Sequence, residues 1–402
     1  MFSKMEAINR RTISSPKIRL LMVIDSLGHG GAEKQFCEVV DRLDRNLFSV
    51  FVCLTTGDPS GLKRLDQEKL SGSYVLGAGA GPGPWLMLCR AWKLSRVIHR
   101  VRPDVVHAWL WYSCVVSAAA RCLVQTKAKL ILALHCSLDW FESQGIGGKL
   151  RAWMAVAANH LCDLVLTLSP SMKRTLIQRW GHHKVLLEIV PNGIDLSEAD
   201  CVRSDPTVRC VVRKELGWRE DTLGLCFIGS LVKGKGHSFL IEALKNLKER
   251  LPKVRLVLVG GGVLQDTLRQ QAQQADLSDR IVFSGYQPKP LAYLAASDAF
   301  VLPSLSEGMP MVILEAMSMG LPVVATRVGA VSDLIEDGFS GLLVPPGDSE
   351  SIATAVERLR QADFREALGR QARRTAESMT IEKTTSLLSS WYRRLATMCG
   401  RE

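Results

Sequence analysis

Long apolar runs are missing from this chain. None reaches the roughly 18 residues that a membrane-spanning helix needs, and the most apolar stretches, near Ala108–Ala120 and Leu130–Leu134, are short. An integral membrane protein is therefore not expected. Basic residues precede the first apolar segment, Leu20–Ile24, but Asp25 interrupts it short of the about 7 to 15 residues of a signal-peptide core. Secretion is not expected either. The 11 cysteines are odd in number and include no Cys-x-x-Cys pair, which argues against a disulfide framework and a zinc ribbon. Reduced, mostly buried thiols in a cytosol are expected. Low-complexity segments and strong internal repeats are also lacking.

A length of 402 residues exceeds one ordinary core and suits two domains. With 47% apolar and 23% charged residues, the composition is that of a globular protein. The net charge of +11 is unevenly placed, because residues 1–200 hold 25 Lys and Arg against 17 Asp and Glu. Between Pro84 and Asp104 lie Arg90, Lys93, Arg96, Arg100 and Arg102, with no acidic residue, interleaved with Trp85, Leu88, Trp92, Val97 and Ile98. That pattern predicts a basic amphipathic helix, which either packs on a sheet as a solvated helix or lies against an anionic membrane or acidic ligand.

Short apolar runs alternate with helical spacing along the whole chain. Strands are predicted at 18–25, 48–54, 105–107, 130–134, 164–168 and 186–190, with a helix over Ala32–Leu43. A second series covers 223–228, 254–259, 280–283, 299–302, 322–325 and 341–344. Such alternation predicts an α/β fold of two doubly wound, Rossmann-like parallel sheets. Pro191–Pro206 is rich in turn formers and reads as the linker. The expected domains are 1–195 and 205–377. The tail from about Ser351 reads as helical, with Trp391 and Tyr392 as packing residues and a last helix near 378–402 returning to the first domain.

Two such domains set the carboxyl ends of two sheets across a cleft, where α/β folds bind ligands. The first loop there is Gly28-His29-Gly30-Gly31. It offers backbone without Cβ atoms and the free amides of a helix N-terminus, which suit a phosphate or carboxylate, although such turns also occur without ligands. Gly229-Ser230-Leu231-Val232-Lys233-Gly234-Lys235-Gly236 adds two lysines to a strand-to-helix turn. A cation beside free amides is what a diphosphate requires, since charge-assisted bonds are about twice as strong as neutral ones; a solvated surface turn is the alternative. Gly260-Gly261-Gly262 either lets a nucleotide approach or is only a tight turn.

The most specific feature is Glu307-Gly308-Met309-Pro310-Met311-Val312-Ile313-Leu314-Glu315. Pro310 suits the first turn of a helix, so Glu307 is expected on the preceding loop and Glu315 inside the helix. Each carboxylate has two acceptor oxygens for the vicinal hydroxyls of a ribose or pyranose. Glu315 sits among apolar residues, so an unpaired charge there would be costly and a bonding partner, ligand or neighbouring cation, is expected.

In order along the chain, Gly-Gly-Ala-Glu-Lys-Gln near the N-terminus, Val190-Pro-Asn-Gly-Ile-Asp195, Gly-x-Leu-x-x-x-Lys-Gly at 229–236, and Glu-x(7)-Glu before Gly320-Leu-Pro-Val-Val-Ala325 resemble the retaining glycosyltransferases of family 4. The resemblance spans about residues 18–350 and implies the GT-B fold. It implies that Glu315 binds the donor ribose, Glu307 the hydroxyls of the transferred sugar, Lys235 the diphosphate, and His135 the donor sugar near the reacting carbon. From the residues alone, the alternative for His135 is a satisfied histidine at a strand end. Gly30 and Gly31 would approach donor phosphate or acceptor, and Gly308, Met309, Pro310 and Met311 would line the donor. Family members commonly carry an arginine where this chain has Ser230, so its diphosphate site departs from the pattern. Lys233 could substitute, but without the bidentate fork of a guanidinium.

No Asp-x-Asp occurs in the chain, so no cofactor or metal is expected, only a nucleotide-sugar co-substrate. The resemblance implies retention of configuration. The acceptor is expected to be a saccharide or lipid-linked saccharide, as in surface polysaccharide or lipopolysaccharide assembly, met at the inner face of the plasma membrane, with no nucleic-acid partner. Trp109, Trp111 and Tyr112 either line its site or belong to the core. Two competing readings keep the fold: a nucleotide-sugar epimerase, which needs no acceptor, and a non-catalytic nucleotide-sugar-binding protein.

Overall fold

The computed structural model describes residues 16–398 except 29, 78–82, 136–137, 139–140, 142–144 and 183–184; His29 of the first glycine loop and both chain ends lie outside the described residues. The strands are β1 (Ile18–Ile24), β2 (Phe48–Leu54), β3 (Gly72–Val75), β4 (Val105–Trp109), β5 (Lys129–Ala133), β6 (Leu164–Thr167) and β7 (Leu187–Ile189), then β8 (Leu223–Ile228), β9 (Val254–Val259), β10 (Ile281–Gly285), β11 (Ala299–Leu302), β12 (Val323–Thr326) and β13 (Leu342–Val344). They form a seven-stranded sheet in the order β3-β2-β1-β4-β5-β6-β7 and a six-stranded sheet in the order β10-β9-β8-β11-β12-β13. The ladders within both sheets are parallel.

These runs form central strands because helices cover both faces. Leu20 through Ile24 have no exposed surface, and burying each such side chain stabilises by about 1.5–3 kcal/mol. Each sheet reverses its winding between its first and fourth strands, so the crevices at the carboxyl ends of β1 and β4, and of β8 and β11, are the ligand positions of the fold.

Two sequence expectations change, while the helical tail returning to the first domain is as expected. Strand β3 was not anticipated: Gly72–Val75 is four residues long and stands at the sheet edge, so it lacks the continuous apolar run of a central strand. The stretch read as a linker contains the helix Leu196–Ser204, capped by Asp195 through Ser197 N, and Asp205 then caps the helix Pro206–Glu215. Two of the turn formers of that stretch, Asp195 and Asp205, are therefore helix caps. The tail is three helices, Ser349–Arg358, Ala362–Ser378 and Ile381–Thr397, of which the last packs on the helix Gly31–Arg42 and on β1 and β4. Tyr392 is fully buried there, its hydroxyl 2.7 Å from His107 Nδ1. Of the nine described cysteines, Cys122, Cys201 and Cys210 are exposed.

The chain crosses between the sheets twice, side by side. Ile194 N donates to Met379 O at 2.9 Å and Ile381 N to Ile194 O at 3.1 Å. A Cβ on Gly193 would stand 2.5 Å from Thr380 O, so only glycine lets the crossings lie this close.

Candidate active site

Two helices, one from each sheet, meet with their first turns together. The helix Gly31–Arg42 leaves the carboxyl end of β1, and the helix Met311–Ser318 follows β11. A Cβ on Gly31 would lie 3.1 Å from Met311 Cβ, so the absent side chain admits the opposing helix. One turn further, Lys34 Nζ donates to Glu315 Oε1 at 2.7 Å. The Glu315 side chain is only 9% exposed, and this ammonium is its partner. Burial alone would lower the Lys34 ammonium, but the charge and hydrogen bond of Glu315, with Glu38 and Glu198 adding to them, hold it above the ordinary lysine value. Glu315 had been expected to need a partner; a residue given no role by sequence, Lys34, is that partner.

The second carboxylate is held from its own sheet. Lys235 Nζ donates to Glu307 Oε1 at 2.6 Å, and Ser304 Oγ donates to the same oxygen at 2.6 Å. Lys235 closes the short 3₁₀ turn Lys233–Lys235 before Gly236, whose φ of +69° belongs to glycine. A Cβ on Gly236 would sit 2.0 Å from Pro303 O. The lysine turn is thus seated on the β11 loop that carries Ser304 and Glu307. Ser230 and Lys233 are exposed.

Between the carboxylates, Gly308 O accepts from Ala330 N at 2.9 Å. Buried Met309 is clamped by Asn192 of the first crossing, whose Nδ2 donates to Met309 O at 3.0 Å. Pro310 is the residue before the helix rather than inside its first turn, with ψ of 116°. Glu307 precedes the helix and Glu315 lies within it. Gly30 is exposed at the start of its helix. Gly260 and Gly262 face the backbone of Gly229 and Leu231, at 2.1 and 2.5 Å from a built Cβ, which accounts for both glycines by chain packing; Gly261 faces open space.

His135 follows β5 with φ of +58° and stacks on Trp109, ring centroids 4.3 Å apart. Its Nδ1 is buried without a hydrogen-bond partner among the described residues. Burial pushes the imidazole down to about 3, so it is neutral near pH 7. It lines a cavity of about 140 Å³ together with Thr167, Ser171 and, from the other sheet, Gly329. Gly329 in turn packs on Glu307 O. Trp109 and Tyr112 are buried in the core, while Trp111 is partly covered. Lys34, Ser304 and Asn192 were the site residues the sequence did not single out; a lysine in the first turn after a glycine pair was the available signal for the first.

The family model for Glycosyltransferase Family 4 matches residues 29–198, and that for Glycosyl transferases group 1 matches 209–375. EpsD of Bacillus subtilis, which carries a glycosyltransferase assignment, is 31% identical over 74% of this chain and 80% of its own. This chain belongs to the family 4 glycosyltransferases. Among other relatives of the transferase, the UDP-Gal:α-D-GlcNAc-diphosphoundecaprenol α-1,3-galactosyltransferase of Escherichia coli is 29% identical over 52% of this chain and 54% of its own. The structure of Anabaena HepE in complex with UDP and glucose superimposes with a TM-score of 0.80 at 23% identity, covering 94% of this chain and all of the other. WaaG, a glycosyltransferase involved in lipopolysaccharide biosynthesis, gives 0.74 at 17% identity over 93% of this chain and 99% of its own. The fold is GT-B.

Proposed function

We propose that this transferase moves a hexose or related sugar, with retention of configuration and without a metal, from a nucleotide-sugar to a saccharide or lipid-linked acceptor in surface polysaccharide synthesis. The Lys235–Glu307 pair carries the reading: a cation and a carboxylate are joined at 2.6 Å at the carboxyl end of a parallel sheet. Lys235 and the amides of its turn would take the charge that grows on the departing diphosphate, an electrostatic effect of about 3–4 kcal/mol per donor in measured cases. Glu307 would hold sugar hydroxyls and Glu315 the ribose, while neutral His135 offers a hydrogen bond near the reacting carbon. As the bond from the anomeric carbon to phosphate oxygen breaks, the acceptor hydroxyl attacks the same face, and its proton passes to the departing phosphate. No protein nucleophile takes part.

The related galactosyltransferase acts on a diphosphoundecaprenol-linked sugar, which supports a lipid-linked acceptor and work at the cytoplasmic face of a membrane. The test is protection of the purified chain against thermal unfolding by a panel of UDP-, GDP- and ADP-sugars, followed by anomer-resolved analysis of product. A ligand at 100 times its Kd stabilises by about 2.7 kcal/mol. Protection by none of them, or an inverted product, would overturn the reading.

A further inference from the structure

We propose that the outer faces of two helices of the first domain, Pro84–Val101 and Gly145–Asn159, form one docking surface for an anionic lipid bilayer. Both helices pack against the helix Trp111–Leu123, on the same side of the seven-stranded sheet. On the first, Met87, Ala91, Leu94 and Ile98 turn inward, and Trp85, Leu88 and Trp92 turn outward, 78%, 57% and 53% exposed. On the second, Ala152, Ala155 and Ala158 turn inward, and Ile146, Leu150 and Trp153 turn outward, 90%, 60% and 68% exposed. The spacing of each outward set is that of a helical stripe. Among the described residues, the exposed tryptophans are those on these two helices.

Charge decides between possible occupants. The three helices together carry seven lysines and arginines and no aspartate or glutamate. Arg90 is buried on Tyr112, but Lys93, Arg96, Arg100 and Lys149 are exposed, and Arg96 lies over the Trp92 ring at 5.0 Å. Two copies of this face would set like charges against each other with no acidic partner, whereas an anionic leaflet attracts each base and accepts indole rings at its headgroup level. In parallel β/α units each helix starts at the carboxyl edge of the sheet. Trp85, Leu88, Ile146 and Leu150 therefore stand toward the edge that carries Lys34 and His135. A lipid-linked acceptor lying in the bilayer would present its saccharide to that edge.

The inference rests on the transferase reading for its purpose but can fail separately from it. The full chain is floated with phosphatidylcholine vesicles, and with vesicles containing roughly one-third phosphatidylglycerol. It should float with the anionic vesicles only. The triple variant Trp85→Ser, Trp92→Ser, Trp153→Ser should lose at least about tenfold in partitioning, and the double variant Arg96→Glu, Lys149→Glu should lose a similar factor. No flotation, equal flotation with neutral vesicles, or undiminished flotation of both variants overturns the proposal. So does sedimentation as a dimer that the tryptophan changes dissociate, which assigns the face to a second copy. Nucleotide-sugar protection measured without vesicles should be the same in the triple variant as in the parent. A parent that floats but is protected by no nucleotide-sugar supports docking and removes the transferase chemistry; one that is protected but does not float does the opposite.

Discussion

The Lys34 ammonium and the Glu315 carboxylate lie 2.7 Å apart although 281 residues separate them. Each is on a helix that starts at the carboxyl edge of its own sheet, so the ion pair joins the two domains where the donor is proposed to lie. Removing Lys34 leaves a largely buried carboxylate without its cation. Lys34→Ala should destabilise by about 1–2 kcal/mol, below the value for a fully buried pair because the lysine is one-third exposed. Urea unfolding of a Lys34→Ala and Glu315→Gln double-mutant cycle measures the coupling; strictly additive effects would show that the pair contributes nothing.

Lys235→Ala removes the cation beside Glu307. Under the proposed chemistry kcat falls on the order of 100- to 1,000-fold, and donor binding weakens as well. Steady-state kinetics with an active donor decides this, and a kcat within a factor of two or so of the parent counts against a leaving-group role.

Gly236→Ala puts a Cβ into Pro303 O at a φ of +69°. The left-handed conformation alone costs about 1–2 kcal/mol for a non-glycine residue, before the clash is relieved. Both stability and turnover should fall, because relief moves the lysine turn off the loop that carries Glu307. A variant with the parent's midpoint in urea would contradict the close approach.

Ser230 is exposed beside the lysine turn. Ser230→Arg restores the residue common at this position in the family and adds a fork that can hold a phosphate by two bonds. Calorimetry should show the nucleoside diphosphate binding about three- to tenfold tighter. Unchanged or weaker binding would place the position outside the diphosphate site.

Glu38 lies one turn behind Lys34, and burial first, with Glu315 and Asp195 adding repulsion, raises its carboxyl to about 7 despite the attraction of Lys34 and Arg42. Its Oε2 is buried without a hydrogen-bond partner among the described residues. The folded chain then holds this proton more tightly than the unfolded one, so this residue makes stability fall as pH rises from about 4.5 to about 7 and stay flat above. Glu38→Gln should be more stable than the parent above pH 7, by on the order of 2–3 kcal/mol, and lose the advantage near pH 4. Unfolding free energies across that range check it; a constant difference would remove the titration.

Much of the fold was legible because central strands of a parallel sheet are continuous apolar runs. Phe48–Leu54, Leu223–Ile228 and Val254–Val259 appear in the structure with the bounds the sequence predicts. Edge strand β3 was not legible, since an edge strand half-covered by neighbours carries no such run. Pro191–Pro206 does contain the crossing at Ile194, but the helices that follow Asp195 and Asp205 were not legible, because aspartate serves equally in turns and as a helix cap.

The glycine turns, the lysine within one of them and the two glutamates around Pro310 were determined by the sequence alone, because backbone freedom, charge and spacing are local properties. Which cation meets which carboxylate was decided only by the tertiary structure. Lys235 meets Glu307 because Gly236 seats one turn on another, and Lys34 meets Glu315 because Gly31 lets a helix of the opposite domain approach. The same holds for the two tryptophan-bearing helices, whose stripes become one face only after both pack on the helix between them. Long-range pairings of this kind depend on how elements distant in sequence are brought together, and no window of residues contains that information.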